Sequence, residues 1–210
     1  MRTNLENFMK KSILTENSYT FSDYFKLPYS TKDIVAEFGY QFKLEQLTLP
    51  KKEIAHLTLD RLRTTFYKKL PHISLNSEAA KREFFISPLL LELLDYLDVE
   101  IDVEYPLKVN DKLKGNIDYF IHSKTNFIII EAKNADMERG FTQLAVELIA
   151  VDQYLEEVAE NFLYGVITTG NVWQFGLLDR QNKMISKNID AFAIPADLEK
   201  LFTVFLGIFD

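Results

Sequence analysis

Apolar and polar residues alternate strictly along residues 99–109, VEIDVEYPLKV, where every second position is apolar. Alternation with a period of two predicts a strand that is exposed on one face. Pro106 cannot donate a ladder hydrogen bond, so we expect this strand to lie at or near a sheet edge.

Two more apolar segments follow, at residues 117–122 and 127–133, and Ser123-Lys124-Thr125-Asn126 connects them. A connection of four residues is of ordinary hairpin length. Residues 164–170 and 172–178 predict a second strand pair that is joined at a Gly-Asn turn. The chain therefore contains at least two strand pairs in addition to the alternating strand.

Segments whose apolar residues have helical spacing lie between these strands and on either side of them. Ser77 is a plausible N-cap for a helix over residues 77–98, which Pro88 should bend or divide. A second helix is predicted from about Met137 to Glu160, and a closing helix follows Pro195. The order predicts an α/β fold with a central mixed β-sheet flanked by helices, over residues 76–210. Residues 1–75 are expected to form a mainly helical N-terminal extension.

The composition describes a folded chain of 210 residues, 47% hydrophobic and 26% charged. No apolar run reaches the roughly 20 residues that a membrane span needs, and the N-terminus lacks the pattern of a signal peptide. With no cysteine, disulfides, thiolate metal sites and cysteine nucleophiles are excluded. We expect a cytoplasmic protein.

The net charge of −7 is unevenly distributed, because residues 1–75 hold 12 basic and 8 acidic residues and the remainder holds 12 and 23. An acidic surface argues against a large nonspecific nucleic-acid footprint, although it allows a local one. The densest basic segment runs from Lys51 to Lys69. Its candidate nucleic-acid-binding residues are Lys51, Lys52, Arg61, Arg63, Lys68 and Lys69. A solvated helix face is the alternative, and charge runs generally favour it.

Charged residues interrupt the apolar hairpin where a buried strand should have none. If His122 faces Phe127, paired residue numbers add up to 249, and Asp118 then lies opposite Glu131. Opposed residues of an antiparallel pair have Cβ atoms roughly 4.5–5.5 Å apart. Lys133 shares the face of Glu131 by the period of two.

Two opposed carboxylates are unfavourable unless they are paired or bind a cation. Lys133 can neutralise only one of them, and the remaining charge favours a hard cation such as Mg²⁺. The alternative is a strand end that leaves the core, where Glu131 and Lys133 simply reach solvent.

These residues carry a resemblance to a known group of enzymes. Asp118 followed by Glu131-Ala132-Lys133 resembles the PD-(D/E)xK nuclease superfamily, and more narrowly the N-terminal nuclease domain of type I restriction enzyme R subunits and their stand-alone relatives. The resemblance spans about residues 77–176, half of the chain. The supporting segments are SEAAKREFFISPLL, GNIDYFI, IIIEAK, FTQLAVELIAVDQY and ITTGNVWQF. The Pro-Asp of the superfamily is Ile117-Asp118 here, and residues 1–75 match no family.

The resemblance implies a restriction-endonuclease-like three-layer core and a role for each matching position. Asp118, Glu131 and the backbone carbonyl of Ala132 would bind Mg²⁺, with Mn²⁺ as a substitute. Lys133 would position or deprotonate the attacking water, and Gln143 would contact the scissile phosphate or the water. A first-helix carboxylate would add to the metal site, with Glu78 as first choice and Glu83 as the alternative; a solvated helical Glu is the competing interpretation for either.

Without the resemblance, the helical stripe Gln143, Glu147 and Tyr154 is interpreted as a solvent face.

The leading hypothesis is a Mg²⁺-dependent nuclease that acts on DNA, in restriction or defence. A catalytically silent nuclease-fold subunit that binds nucleic acid or acts as a scaffold is the alternative, and an α/β interaction domain with structurally paired charges is a third hypothesis. Expected partners are DNA, a second copy in a homodimer, and a separate motor or specificity subunit, since no helicase motor follows in this chain. No membrane partner is expected.

Overall fold

The computed structural model describes residues 12–55, 57–124, 126–155 and 161–210. The predicted hairpin connection therefore includes one residue outside the described part, Thr125, and the predicted end of the second helix, residues 156–160, lies outside it too. His56, within the basic segment, and residues 1–11 are likewise outside the described residues.

The fold is α/β, with a mixed eight-stranded sheet flanked by helices on both faces. The strands are β1 (Gln41–Glu45), β2 (Glu100–Asn110), β3 (Leu113–His122), β4 (Phe127–Ala132), β5 (Phe162–Thr168), β6 (Val172–Asp179), β7 (Met184–Asn188) and β8 (Phe192–Ala193). The helices are α1 (Phe21–Lys26), α2 (Thr31–Ala36), α3 (Asp60–Lys69), α4 (Glu78–Lys81), α5 (Ser87–Leu93), α6 (Met137–Tyr154) and α7 (Leu198–Ile208).

The strand order is β1-β7-β6-β5-β4-β3-β2, with β8 paired to β6. The β1–β7 and β4–β5 pairs are parallel, and the other pairs are antiparallel. The alternating strand β2 ends the order, so the expectation of a sheet edge from Pro106 is confirmed. Both predicted strand pairs, β3–β4 and β5–β6, are also confirmed.

Three strands were not expected from the sequence. β1 lies within the segment that was expected to be helical and irregular, and it pairs with β7. β7 has the sequence MISKN, yet Ser186, Lys187 and Asn188 are buried. Polar composition conceals this strand: it forms a tight hairpin with β6, Asp179 opposite Met184, but its residues show no alternating apolar pattern.

The predicted N-cap at Ser77 is confirmed, since its side chain accepts a hydrogen bond from the Ala80 N–H at 3.1 Å. The helical segment then continues through a π-helical turn, Arg82–Ile86, into α5. Pro88 has no N–H to donate to the carbonyl four residues earlier, and a widened turn just before it accommodates that loss. Pro88 thus divides the segment as expected.

The described part of residues 1–75 packs into the same core as the rest of the chain. α1 and α2 pack on α6, while α3 joins α5 and α7 on the other face of the sheet. Gly115 of β3 allows α1 to come close, because a Cβ at this position would lie 2.9 Å from the Phe21 ring. In the described residues no helix is both long and apolar enough to cross a membrane. The proposed division at residue 75 stays a prediction.

Candidate metal centre

The β3–β4 hairpin has the register that the sequence predicts. His122 pairs with Phe127, and the ladder continues through Ile121↔Ile128 and Phe120↔Ile129 to Tyr119↔Ile130. The next pair would be Asp118 with Glu131, but the ladder ends one pair earlier. There the Asp118 side chain joins the strands instead, because its Oδ2 accepts a hydrogen bond from the Ala132 N–H at 2.8 Å.

Asp118 lies between the backbone of β4 and an arginine. Its Oδ1 is 3.4 Å from Arg82 Nη1, and its side chain is only 14% exposed. Burial raises the pKa of Asp118, and this effect exceeds the lowering by the Ala132 N–H and by Arg82. The carboxylate is therefore a desolvated group with compensating donors.

Glu131 is the most deeply buried acid of the hairpin, at 1% exposure. Its Oε1 accepts from Lys133 Nζ and from Gln143 Nε2, the latter at 2.6 Å. Burial, followed by the nearby Asp118 charge, raises the pKa of Glu131 to about 8. The alternative of a strand end at which Glu131 reaches solvent is wrong, because this side chain is buried and contacts Gln143 of α6.

Lys133 follows the last residue of β4, and its backbone N–H donates to the Thr168 carbonyl at 2.8 Å, alongside β5. Its ammonium contacts Glu131 and lies 5.5 Å from the ring centroid of Phe25 in α1. Burial lowers the pKa of Lys133, but the Glu131 carboxylate more than offsets this and the pKa is raised. The amine is thus held cationic beside the two acids.

Gln143 and Glu147 are buried on α6, so the solvent-face interpretation is wrong for both; Tyr154 is exposed. Gln143 Nε2 donates to Glu147 Oε1 at 2.9 Å as well as to Glu131. The bond to Glu131 of β4 shows that this stripe faces the sheet, which explains why its polar residues are enclosed. Glu147 is 0% exposed, and burial followed by the Glu131 charge holds its pKa well above the ordinary value.

A cavity of about 470 Å³ brings most of the predicted catalytic and metal-binding residues together. Asp118, Glu131, Lys133 and Gln143 line it, and so does Glu78, the first choice for a helix carboxylate. Glu83 is exposed and does not line this cavity. Ala132 adjoins the cavity through its hydrogen bond to Asp118, while the role of its carbonyl stays a prediction.

Other residues complete the cavity wall and were not expected from the sequence. They are Thr20 and Ser22 at the start of α1, Arg82 of the π-helical turn, Glu104 of β2, and Gly115 and Asn116 of β3. Arg82 was identifiable in part, because it lies four residues after Glu78 and thus on the same helical face. Glu104 has φ of 56°, an unusual conformation for a non-glycine residue, and its carboxylate contacts Arg82 Nη1 at 2.6 Å.

None of the six basic candidates for nucleic-acid binding lines this cavity. Lys52 pairs with Asp210, and Arg63 pairs with Glu199 of α7. Arg61 lines a separate pocket of about 310 Å³ with Glu92 and Asp95. Lys51, Lys68 and Lys69 are exposed. Whether these residues bind nucleic acid stays a prediction.

The oxygen atoms at this site fit the requirements of a hard divalent cation. Within the described residues, three buried oxygen atoms lack a hydrogen-bond partner: Glu131 Oε2, Gln143 Oε1 and Glu147 Oε2. Unpaired buried oxygen next to a second carboxylate, Asp118, fits a cation that takes oxygen ligands. No group of three or more His, Asp or Glu side chains in the described residues is arranged to hold a metal by itself. Mg²⁺ commonly uses one or two carboxylates and keeps several waters, so two carboxylates at an open cavity satisfy its requirements.

Comparison with protein-family models gives no matching family, and comparison with curated proteins gives no similar protein.

Proposed function

We propose that this protein is a Mg²⁺-dependent nuclease that hydrolyses phosphodiester bonds of DNA. One observation carries the proposal: Glu131 is buried with an unpaired oxygen, and Asp118, Lys133 and Gln143 line the same open cavity. Two close, buried acidic groups with an adjacent amine are costly for a structural core, and they suit a site that binds a cation and a phosphate. The fold that we propose with this function is the restriction-endonuclease-like three-layer core.

Asp118 and Glu131 would hold the Mg²⁺ ion, with the Ala132 carbonyl and Glu78 as candidate further ligands. A bound Mg²⁺ lowers the pKa of its water and polarises the phosphate, so that hydrolysis does not require a histidine base. Lys133 contacts Glu131 and also lines the cavity, where its ammonium would orient a water molecule and stabilise developing negative charge. Gln143 fixes Glu131 through its Nε2, and its unpaired Oε1 is available to accept a hydrogen bond from a water.

Cleavage of supercoiled plasmid tests this proposal. We expect wild type to nick DNA with Mg²⁺ or Mn²⁺ and not with EDTA. Glu131→Gln and Lys133→Met should each lower the rate at least about 100-fold, a typical size for loss of a positioned acid–base or metal-binding group. Glu83→Gln is the matched control, because Glu83 is an exposed carboxylate near Glu78 that does not line the cavity.

A silent nuclease-fold subunit is the second candidate, and the pairing of Asp118 favours it. Both oxygens of Asp118 already contact protein donors, the Ala132 N–H and Arg82. Cation binding without cleavage of plasmid or of short DNA would support this candidate. Plasmid nicking that is equal in wild type and Glu131→Gln would contradict the nuclease proposal, because a contaminant would then account for it. DNA as the substrate, the homodimer and a separate motor or specificity subunit stay predictions.

A further inference from the structure

Arg82 has a fixed place in the cavity wall that does not depend on Asp118 alone. Its guanidinium carbon lies 5.1 Å from the centroid of the Tyr119 ring, and its Nε donates to the Tyr119 hydroxyl at 3.3 Å. Nη1 donates to Glu104 at 2.6 Å and makes only a long contact, 3.4 Å, with Asp118. Glu104 and Tyr119 therefore keep Arg82 at the wall when Asp118 is engaged elsewhere.

Few of the side chains that line the cavity can bind an anion. Four carboxylates and two cations line it, and these are Glu78, Glu104, Asp118, Glu131, Arg82 and Lys133. Lys133 is in direct contact with the buried Glu131. Arg82 is partly exposed, and in the described part of the chain its Nη2 has no hydrogen-bond partner. A guanidinium presents its donors in a planar fork that matches a phosphate.

We propose that Arg82 binds a phosphate group of the nucleic-acid substrate in this cavity, with Glu104 and Tyr119 holding its guanidinium in place. This inference rests on the proposed nuclease function and names the phosphate-binding residue of that site. The principal phosphate contact is then expected in the cavity and not in the basic segment 51–69.

Equilibrium binding of fluorescein-labelled DNA tests the inference. The probes are a 12-nucleotide single strand and the matching duplex, with Ca²⁺ replacing Mg²⁺, over a range of salt concentrations. Arg82→Gln should weaken the tighter of the two complexes by about 10- to 100-fold, because it removes charge-assisted hydrogen bonds. The slope of log K against log salt should fall by about 0.7 to 0.9, the change expected for one lost phosphate contact.

Two further variants separate a phosphate contact from a structural effect. Arg82→Lys keeps the charge and loses the fork, so it should retain the wild-type salt slope and recover part of the affinity. Arg139→Gln is the matched control, because Arg139 is an exposed arginine that does not line this cavity, and it should bind as wild type does.

Equal DNA affinity and equal salt slope in wild type and Arg82→Gln, including no measurable binding by either, would overturn the inference. Mn²⁺ titration of the same samples keeps the two proposals apart. If Arg82→Gln binds both Mn²⁺ and DNA with the same affinity as wild type, the phosphate-binding role of Arg82 is refuted. The metal-dependent nuclease proposal is not affected by that result. A wild type that binds no Mn²⁺ refutes the metal-dependent nuclease.

Discussion

Gln143 holds two buried carboxyl groups at once, because its Nε2 donates to Glu131 at 2.6 Å and to Glu147 at 2.9 Å. A side-chain amide carries two N–H donors, so both bonds can be made by one nitrogen. Gln143 thus links the hairpin to α6, and it also forms part of the cavity wall. Its burial makes the link sensitive to substitution.

Gln143→Leu should lower the free energy of unfolding by about 1–3 kcal/mol, because it leaves buried acceptors without a donor. Urea unfolding measures this difference. Gln46→Leu is the control: Gln46 also donates to a carboxylate, Asp190 at 3.0 Å, but it is exposed, and its loss should change stability by less than about 0.5 kcal/mol. Equal stability of Gln143→Leu and Gln46→Leu would contradict the account.

The sequence predicted the positions of some site residues and not of others. Asp118, Glu131 and Lys133 follow from strand period and hairpin register, and the structure gives that register through Tyr119↔Ile130. Glu147 could not be identified as buried, since a polar helical stripe normally faces solvent, whereas this one faces the sheet beside Glu131. The sequence could not predict that Glu104 lines the cavity. Its position depends on the pairing of β2 and on a left-handed backbone conformation that no local pattern indicates.

At the scale of elements, α1 is a six-residue helix that forms part of the cavity wall. A helix this short has no stability of its own. It is held by local capping, in which Thr20 N–H and Thr20 Oγ1 donate to Asp23 Oδ2 at 2.9 and 2.7 Å, and by the Tyr24 hydroxyl, which donates to the Lys112 carbonyl at 2.6 Å. The stability of this wall should therefore depend on Asp23.

The hydrogen bonds from the Thr20 hydroxyl and N–H lower the pKa of Asp23 from 3.8 to about 2. A lowered folded-state pKa contributes stability that is fully present above about 3.8 and is lost as the pH falls through about 2. Asp23→Ala should thus be less stable than wild type at pH 7, by about 1 kcal/mol as for other helix caps. The difference should narrow below pH 4.

Urea unfolding of both proteins between pH 7 and pH 2.5 measures that narrowing. The exposed Glu53→Ala serves as a surface control and should remain within about 0.5 kcal/mol of wild type at pH 7. A difference between Asp23→Ala and wild type that stays constant over this range would contradict the assigned hydrogen bonds.

Periodicity predicted the elements whose environment is set locally. β2 alternates because one face is exposed, and α7 begins soon after Pro195. β1 was missed because it is defined by pairing across about 140 residues of chain, Gln41 with Met184. β7 was missed although it forms a local hairpin with β6. The buried Ser186, Lys187 and Asn188 of β7 carry no apolar signal.

At the scale of the whole molecule, the sheet separates two cores. α6 lies beneath α1 and α2 on one face, and α3, α5 and α7 cover the other. The candidate metal centre lies where the two sides approach each other, lined by Ser22 of α1 and Glu78 of α4. Half of the chain is therefore enough to predict the metal-binding and catalytic residues. The N-terminal segment is needed to complete the wall of the cavity.

The uneven charge of the chain has a structural counterpart. The basic segment belongs to the face with α3 and α7, where two of its members pair with acidic residues, whereas the cavity has an acidic lining. An acidic lining disfavours a polyanion unless cations offset its charge. Cation binding at Asp118 and Glu131 is therefore the step on which the whole account depends.

Calorimetric titration of Mn²⁺ into wild type, Asp118→Asn and Glu83→Gln tests this claim most directly. We expect wild type and Glu83→Gln to bind with the same affinity, and Asp118→Asn to lose at least about tenfold, since a neutral amide replaces a charged ligand. No binding to wild type, even with DNA present, or equal binding to wild type and Asp118→Asn, would contradict the candidate metal centre.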